Sequence, residues 1–420
     1  MASYADIHGP MTYRTMILVG DWAPGRTKVD TIQLTDSVVL ANLEGPILPD
    51  AYKHNTSSKA GPHLSSSMLP ATKEQFVLSL ANNHIMDYGI TGLEATQTQL
   101  EQRGFRWCGA GQNIQIARQP VIISDKGARL GIIACCEAQF GVSRWGQPGV
   151  AEFGPWVYKA IRDLQQVADV VIVSVHAAVE DAPWPSPYIQ ELYRSYIDAG
   201  ATVVHGHHSH VPQGYEEYNG GLIFYGMGNF AVDPGKWRDY PNGLWSIGAE
   251  IDFATSPLRW RLLTFEIRDE PDTATILVEE STEVERAGHN HYLELCNRPL
   301  TRPDLLAALW QEVALRAYYR YGARYMKFTA LPQSSARWAQ IRTGLSMLRH
   351  GLLNQLSPES GPGQYDYLLW YHMIACESHR QMLATALGVL NGELPDLRTE
   401  EIRYLVDTMM PWSQGYIEQQ

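Results

Sequence analysis

A chain of 420 residues with 45% hydrophobic content can bury a large core, and its length alone argues for two or three domains. A formal net charge of -12 argues against general nucleic-acid binding, because phosphate backbones select basic surfaces. The five cysteines (Cys108, Cys135, Cys136, Cys296 and Cys376) are odd in number and form no pair at ligand spacing, which excludes an all-thiolate zinc site and fits a reducing compartment. The opening stretch MASYADIHGPMTYRT has no apolar core of the signal-peptide kind, and no segment reaches the length of a membrane span. The expectation is a cytoplasmic protein.

Along the chain, apolar runs end in residues that can carry chemistry. Ile17 to Val19 leads into Gly20 and Asp21, Val38 to Leu40 into Asn42, Leu43 and Glu44, and Phe76 to Leu80 into Asn82, Asn83 and His84. A helix follows, with Thr91 and Glu94 as a capping box and a stop at Gly104. GAGQN, from Gly109, has Ile114 where a dinucleotide loop needs its third glycine, and that reading is rejected. Cys135 and Cys136 sit in the core run LGIIACC. Helices are expected over Pro155 to Ala168 and Tyr188 to Ala199, and between them Val170 to Val175 leads into His176. In VVHGHHSH, Val203 to His210, the strand should end at Gly206 and turn sharply, aiming His207 and His210 at one point. Leu222 to Tyr225 then leads into Gly228, Asn229 and Phe230.

Continuous apolar runs are buried strands, and their alternation with helices gives a layered α/β domain whose chemistry gathers at one end of the strands. Two carboxylates, an amide oxygen and several imidazoles at such ends form a mixed oxygen and nitrogen donor set. That set suits Mn, Fe or Zn, with room for two ions.

From Leu258 the segments RWRLLTFEIR and TATILVEE alternate and close the sheet. Beyond a boundary near residue 286 the pattern is helical, dividing the chain into 12–285 and 286–420. Thr301 and Asp304 form a capping box around Pro303, a second long helix spans Tyr365 to Leu390 with a stop at Gly392, and Thr399 caps a last one. Polar breaks are expected at Gln333 to Ser335 and Ser357 to Gly363. Between Thr301 and His350 eight basic residues (Arg302, Arg316, Arg320, Arg324, Lys327, Arg337, Arg342, Arg349) face two acidic ones, with Arg316, Arg320 and Arg324 on one helix face. That face either grips an anionic substrate or partner, or is a solvated face pairing with the acidic α/β domain.

The order GD, NLE, NNH with DYG, a strand-end histidine, GHHSH and GNF, spread over residues 14 to 270, resembles the CapA family of the metallophosphatase superfamily, named for poly-γ-glutamate capsule synthesis. The resemblance implies a calcineurin-like αββα sandwich with a C-terminal helical region. It also implies two divalent transition metal ions about 3.5 Å apart sharing a carboxylate and a water. Glu44 would bridge, Asp21 and His210 would complete the first metal, and Asn83, His176 and His207 the second, with His208 in reserve. His84 would protonate a leaving oxygen while Asp87 holds its other nitrogen, and Arg26 would clamp phosphoryl oxygens. Plainer roles stand beside these, a surface ion pair for Arg26 and a helix cap for Asp87.

The implied activity is that of a metal-dependent hydrolase, most simply a phosphoesterase, in cell-envelope or capsular polymer biosynthesis. The alternatives are a non-hydrolytic accessory of poly-γ-glutamate or capsule assembly, and a γ-glutamyl amide hydrolase. An anionic small-molecule or polymer substrate and biosynthetic partner proteins go with any of them. Three departures from the family pattern stand out. Ala23 replaces a histidine found in many phosphoesterases of the superfamily, Ala177 and Ala178 replace a Trp-Gly pair, and the family's common N-terminal membrane anchor is not seen. Trp184 in DAPWPSP either restores the lost aromatic surface or simply packs.

Overall fold

A computed structural model describes residues 15–25, 27–31, 37–49, 69, 76–125, 128–240, 242–253, 255, 258–270, 275–322 and 364–416. Arg26, Arg324, Lys327, Arg337, Arg342, Arg349 and both expected polar breaks lie outside the described residues.

The apolar runs form two sheets. The first runs β2 (Lys28–Thr31), β17 (Thr275–Glu280), β16 (Arg259–Glu270), β15 (Trp245–Asp252), β1 (Thr15–Ala23), β3 (Ser37–Leu43), β4 (Phe76–Ser79) and β5 (Arg106–Cys108), with β14 (Asn229–Val232) also paired to β1. The second runs β12 (Tyr215–Tyr218), β13 (Gly221–Phe224), β11 (Val203–His207), β10 (Val170–His176), β8 (Ala128–Cys136) and β7 (Val121–Asp125). A two-residue pairing of β6 (Ala110–Gly111) with β9 (Gly149–Val150) stands apart.

Why the central strands read as unbroken apolar runs is visible in the packing. Side chains alternate between faces along a strand. Ile132 and Ile172 point into the core shared with Phe224 of their own sheet and with Leu18 and Leu40 of the facing sheet. Ile133, Val171 and Val173 point the other way, onto α3 (Pro155–Leu164) and α4 (Pro187–Asp198) through Val157, Ile161, Ile189 and Tyr193. With both faces covered, neither can be polar. On the first sheet, α1 (Gly89–Gln102) lies against β5 and buries Leu93 and Leu100. The result is the αββα sandwich that the resemblance implies, followed by C-terminal helices.

Those helices are α5 (Glu283–Asn297), α6 (Pro303–Ala317), α7 (Gln364–Ala375), α8 (Glu377–Leu390) and α9 (Glu400–Met409). Residue 286 falls within the first turn or so of α5, which lies on the sandwich: His289 stacks on Trp245 at 3.9 Å, and the Tyr292 hydroxyl donates to Pro212 O. GAGQN leads only into a one-turn helix, α2 (Ile114–Ala117).

Several local expectations are corrected. Helix α1 starts at Gly89, with Gly92 N already bonded to Tyr88 O, so Thr91 and Glu94 sit exposed inside it and cap nothing. Helix α3 stops at Leu164, where Val167 N and Ala168 N both turn back to Leu164 O. Thr301 is consumed in a 3-10 turn (Arg298–Thr301), so α6 opens on Pro303 without a side-chain cap. The expected long helix from Tyr365 is two helices, broken at an extended Cys376. Thr399 caps α9 as read from the sequence, its side chain accepting from Ile402 N.

The basic helix face is not solvated where it is described. Arg316 is buried and binds Glu312 and Asp407, while Arg320 reaches Asp181 at 3.1 Å and lies over the Trp412 ring at 4.1 Å. Of the two readings, pairing with the α/β domain describes Arg320, but as a largely enclosed contact. Trp184 packs: it is buried, and its indole N–H donates to Leu295 O.

Candidate metal centre

Strand register brings the chain's chemistry to one edge of the sandwich. Asp21 on β1 is level with Asn42 on β3, and His176 on β10 is level with His207 on β11. The two sheets meet here directly, since His205 Nε2 donates to Val19 O at 2.8 Å. Gly20 is needed where β1 passes the segment leading into β14: a Cβ there would stand 1.8 Å from Gly228 O.

Gly206 has a different role from the one its sequence position implies. The strand continues through it to His207, and the glycine is needed because a Cβ would meet Tyr225 O at 2.2 Å. The turn is made afterwards by His208 and His210, at φ 85° and 57°. Non-glycine residues in that region cost about 1–3 kcal/mol each and cluster where function demands the conformation.

Asp21, Glu44, Asn83, His176, His207 and His210 are all buried, at 0 to 6% exposure, and converge. On one side His207 Nδ1 is 3.3 Å from Asp21 Oδ1 and His210 Nδ1 is 3.4 Å from Asp21 Oδ2. Glu44 Oε1 then lies 3.7 Å from His210 Nε2 and 3.5 Å from His176 Nε2, between the two sides. His176 Nε2 is 3.0 Å from Asn83 Oδ1. His207 therefore sits with Asp21, not with the Asn83 group to which the resemblance assigned it.

The ring orientations follow from hydrogen bonding. A carbonyl only accepts, so His205 Nε2 carries a proton, and burial keeps this ring neutral. Its Nδ1 thus accepts from His207 Nε2 at 3.2 Å, which fixes the His207 ring with its Nδ1 toward Asp21. His210 Nδ1 donates to Asn229 Oδ1 at 3.1 Å, with the Asn229 amide fixed by its own donation to Gly243 O, and Nε2 is left facing Glu44. His205 and Asn229 are orienting residues whose roles were not read from the sequence. The signals were there, in the i, i+2 spacing of His205 and His207 and in the asparagine of GNF.

These contacts test whether a cation fits. Asp21 Oδ1 accepts from Asn42 Nδ2 at 2.8 Å, while Asp21 Oδ2 and His207 Nδ1 are buried, turned into the site and make no well-formed hydrogen bond. Burial would raise Asp21, but His207 and His210 together hold its carboxyl well below the usual range. Burial would lower His210, yet the Glu44 and Asp21 carboxylates lift it to about 10. The field is that of a site shaped for positive charge, and the oxygen and nitrogen donors suit a divalent transition metal. On the other side, Asn42 Nδ2 approaches His176 Nδ1 at 3.2 Å, which leaves His176 Nε2 to donate to Asn83. The demand for a cation is sharpest beside Asp21.

His84 stands at the rim. Its Nδ1 is 2.7 Å from Asp87 Oδ2 and its Nε2 is 4.0 Å from Glu44 Oε1. Asp87 thus serves His84 instead of capping α1, whose N-terminus has no side-chain cap. Asn82 braces the loop, its Oδ1 accepting from His84 N and Ile85 N while its amide donates to Leu43 O. His208 stacks within 4.5 Å of His176, and its ligand atom groups with those of Glu44 and His210. Gln139 Nε2 lies 2.7 Å from His208 Nε2, which ties the centre to the loop after β8.

Known proteins share the sequence over this same part of the chain. The capsule biosynthesis protein CapA of Bacillus anthracis is 32% identical over 256 residues, 55% of this chain and 62% of that protein. A probable polyglutamine synthesis accessory protein of Mycobacterium tuberculosis is 31% identical over 176 residues, 37% of this chain and 45% of that protein. The matched segment thus spans less than two thirds of either relative. A 5'-nucleotidase from Candida albicans overlaps 64% of this chain and 54% of that chain at 10% identity and a TM-score of 0.38, too loosely to inform function. A sequence model described as bacterial capsule synthesis protein PGA_cap matches residues 13–234, more than half the chain, and the protein belongs to that family.

Proposed function

We propose that this protein is a metal-dependent hydrolase, a dinuclear phosphoesterase acting on an anionic substrate in capsular or cell-envelope polymer synthesis. The observation that carries this reading is His84. An imidazole clamped by Asp87 and aimed at Glu44 is not needed to hold an ion, but it is what a leaving-group acid requires. Asp21, His207 and His210 would hold one divalent ion (Mn, Fe or Zn), Asn83 and His176 the other, and Glu44 would serve both. Such ions, when bound, supply Lewis acidity and lower the pKa of water. The protein's own part is to exclude solvent from a centre whose donors are buried, to fix the imidazole rings through His205 and Asn229, and to deliver a proton from His84 Nε2. Asp87, accepting from Nδ1, orients the ring and would stabilise the imidazolium whose Nε2 proton is given up. Arg26 is proposed as a clamp on phosphoryl oxygens. The five cysteines, all free and buried, fit a reducing compartment.

A second reading is favoured by the name of the mycobacterial relative, an accessory protein of polymer synthesis. In it the same centre binds a polymer or its precursor without cleaving it, and works with biosynthetic partner proteins. Metal-loaded full-length protein assayed on an aryl phosphate, a phosphodiester and a γ-glutamyl amide separates the readings. Turnover of either phosphate ester is expected; turnover of the amide alone would make it an amidase, and none at all leaves the accessory role.

A further inference from the structure

Helices α7 and α8 contain no proline or glycine near their junction, yet the chain breaks at Cys376, with φ -67° and ψ 124°. Helix kinks usually have a local cause of that kind. Here the last bond of one helix, Cys376 N to His372 O, and the first of the next, Arg380 N to Cys376 O, close normally on either side of a single extended residue.

What the break achieves is convergence. In an unbroken helix residues seven apart are separated by about 10 Å along the axis. In this chain the His372 and His379 rings approach to 4.4 Å between centroids, and one donor atom each from His372, Cys376 and His379 lie within 4.8 Å of one another. His379 Nδ1 is 2.9 Å from Cys376 Sγ. Tetrahedral zinc would set that separation at about 3.5 Å, a small opening.

The surroundings suit a cation. The fully buried Glu137, just after β8, accepts from the thiol at 3.1 Å and from Ser378 N at 2.7 Å, so a carboxylate stands beside the sulfur. Phe140 stacks on His372 at 4.3 Å and fixes its ring. Both histidines are only partly buried, so an ion can reach them from solvent.

We propose that His372, Cys376 and His379 form a second metal site, a zinc-type clasp that fastens α7 and α8 to the loop following β8. A divalent ion displaces the thiol proton to solvent, and the thiolate together with the Glu137 carboxylate balances its charge. The same loop carries Gln139 to His208, so the clasp braces one wall of the strand-end centre without contributing a ligand to it.

Cobalt(II) distinguishes the two sites, because the strand-end donors include no thiolate. Full-length protein loaded with Co(II) should show a thiolate-to-cobalt charge-transfer band. The band should persist in Glu44→Ala and vanish in Cys376→Ala, with about one equivalent of metal lost by elemental analysis. If Cys376→Ala does not fold, His379→Gln replaces it and should weaken Co(II) binding at the band at least tenfold. A wild-type protein without the band overturns the clasp, as does a band unchanged in Cys376→Ala or an affinity unchanged in His379→Gln. None of these results depends on turnover.

Discussion

Two buried clusters of charge in this molecule are built alike and solved differently. In the helical region, Glu312 is fully buried and its carboxylate is met by the Arg316 guanidinium at 2.8 Å and by Arg398 at 3.2 Å, with Arg316 going on to Asp407 and the Ser413 hydroxyl. At the strand ends, Asp21 is equally buried but faces imidazoles, with His207 Nδ1 3.3 Å from its Oδ1 and His210 Nδ1 3.4 Å from its Oδ2. A carboxylate removed from water needs a cation close by. The helical region supplies guanidinium groups, which stay charged, whereas the strand ends supply imidazoles, which can give up a proton and act as ligands. On the proposed function, that difference separates a structural ion pair from a metal centre, although composition would score the two clusters alike.

The largest test of this contrast is at the strand ends. Glu44→Ala or His207→Ala is expected to lose the strand-end ions completely in elemental analysis of dialysed protein, and a metal content equal to wild type would break the comparison. In the helical region, Arg316→Ala should leave metal content untouched but cost about 3 kcal/mol in denaturant unfolding, because it leaves a buried carboxylate with Arg398 alone. A cost below about 1 kcal/mol would mean that the pair is not what balances Glu312. His84→Ala sharpens the picture inside the centre: metals retained, turnover of an aryl phosphate lowered about 10²-fold. Unchanged turnover would remove His84 from the chemistry.

The smallest effect is expected where the two regions join. Thr282 and Glu285 form a reciprocal capping box on α5, and Thr282→Ala should cost about 1 kcal/mol near neutral pH. The Thr282 backbone N–H, then its hydroxyl, then Arg268 draw Glu285 down to about 2. Its contribution is therefore present above the ordinary carboxylate range and is lost as pH falls through about 2. The deficit of the variant in thermal unfolding should shrink over that interval, and a deficit constant with pH would detach it from the Glu285 carboxylate.

Much of the site could be read from residue order. Each apolar run ended in a donor, and the strands carrying Asp21, Glu44, Asn83, His176 and His207 deliver them to one edge. What could not be read was how the rings are aimed. The partner that orients His207 is His205, itself held by a carbonyl from the opposite sheet, 186 residues earlier in sequence. The partner of His210 is an asparagine on β14. The break at Cys376 was equally silent, because α7 and α8 have unbroken helical character in sequence, and so was the burial of Arg316, whose basic helix face read either as a grip on an anion or as a solvated face.

Sequence by itself determined the layered α/β class, the strands and the kinds of donor at their tips, because burial on both faces demands apolar runs and turns demand polar residues. Tertiary structure decided which oxygen and nitrogen atoms are brought face to face at the strand ends, which glycines are needed for backbone to pass backbone, and which charges find a partner. Those outcomes depend on distances of a few ångströms between segments far apart in the chain, and local pattern carries no information about them.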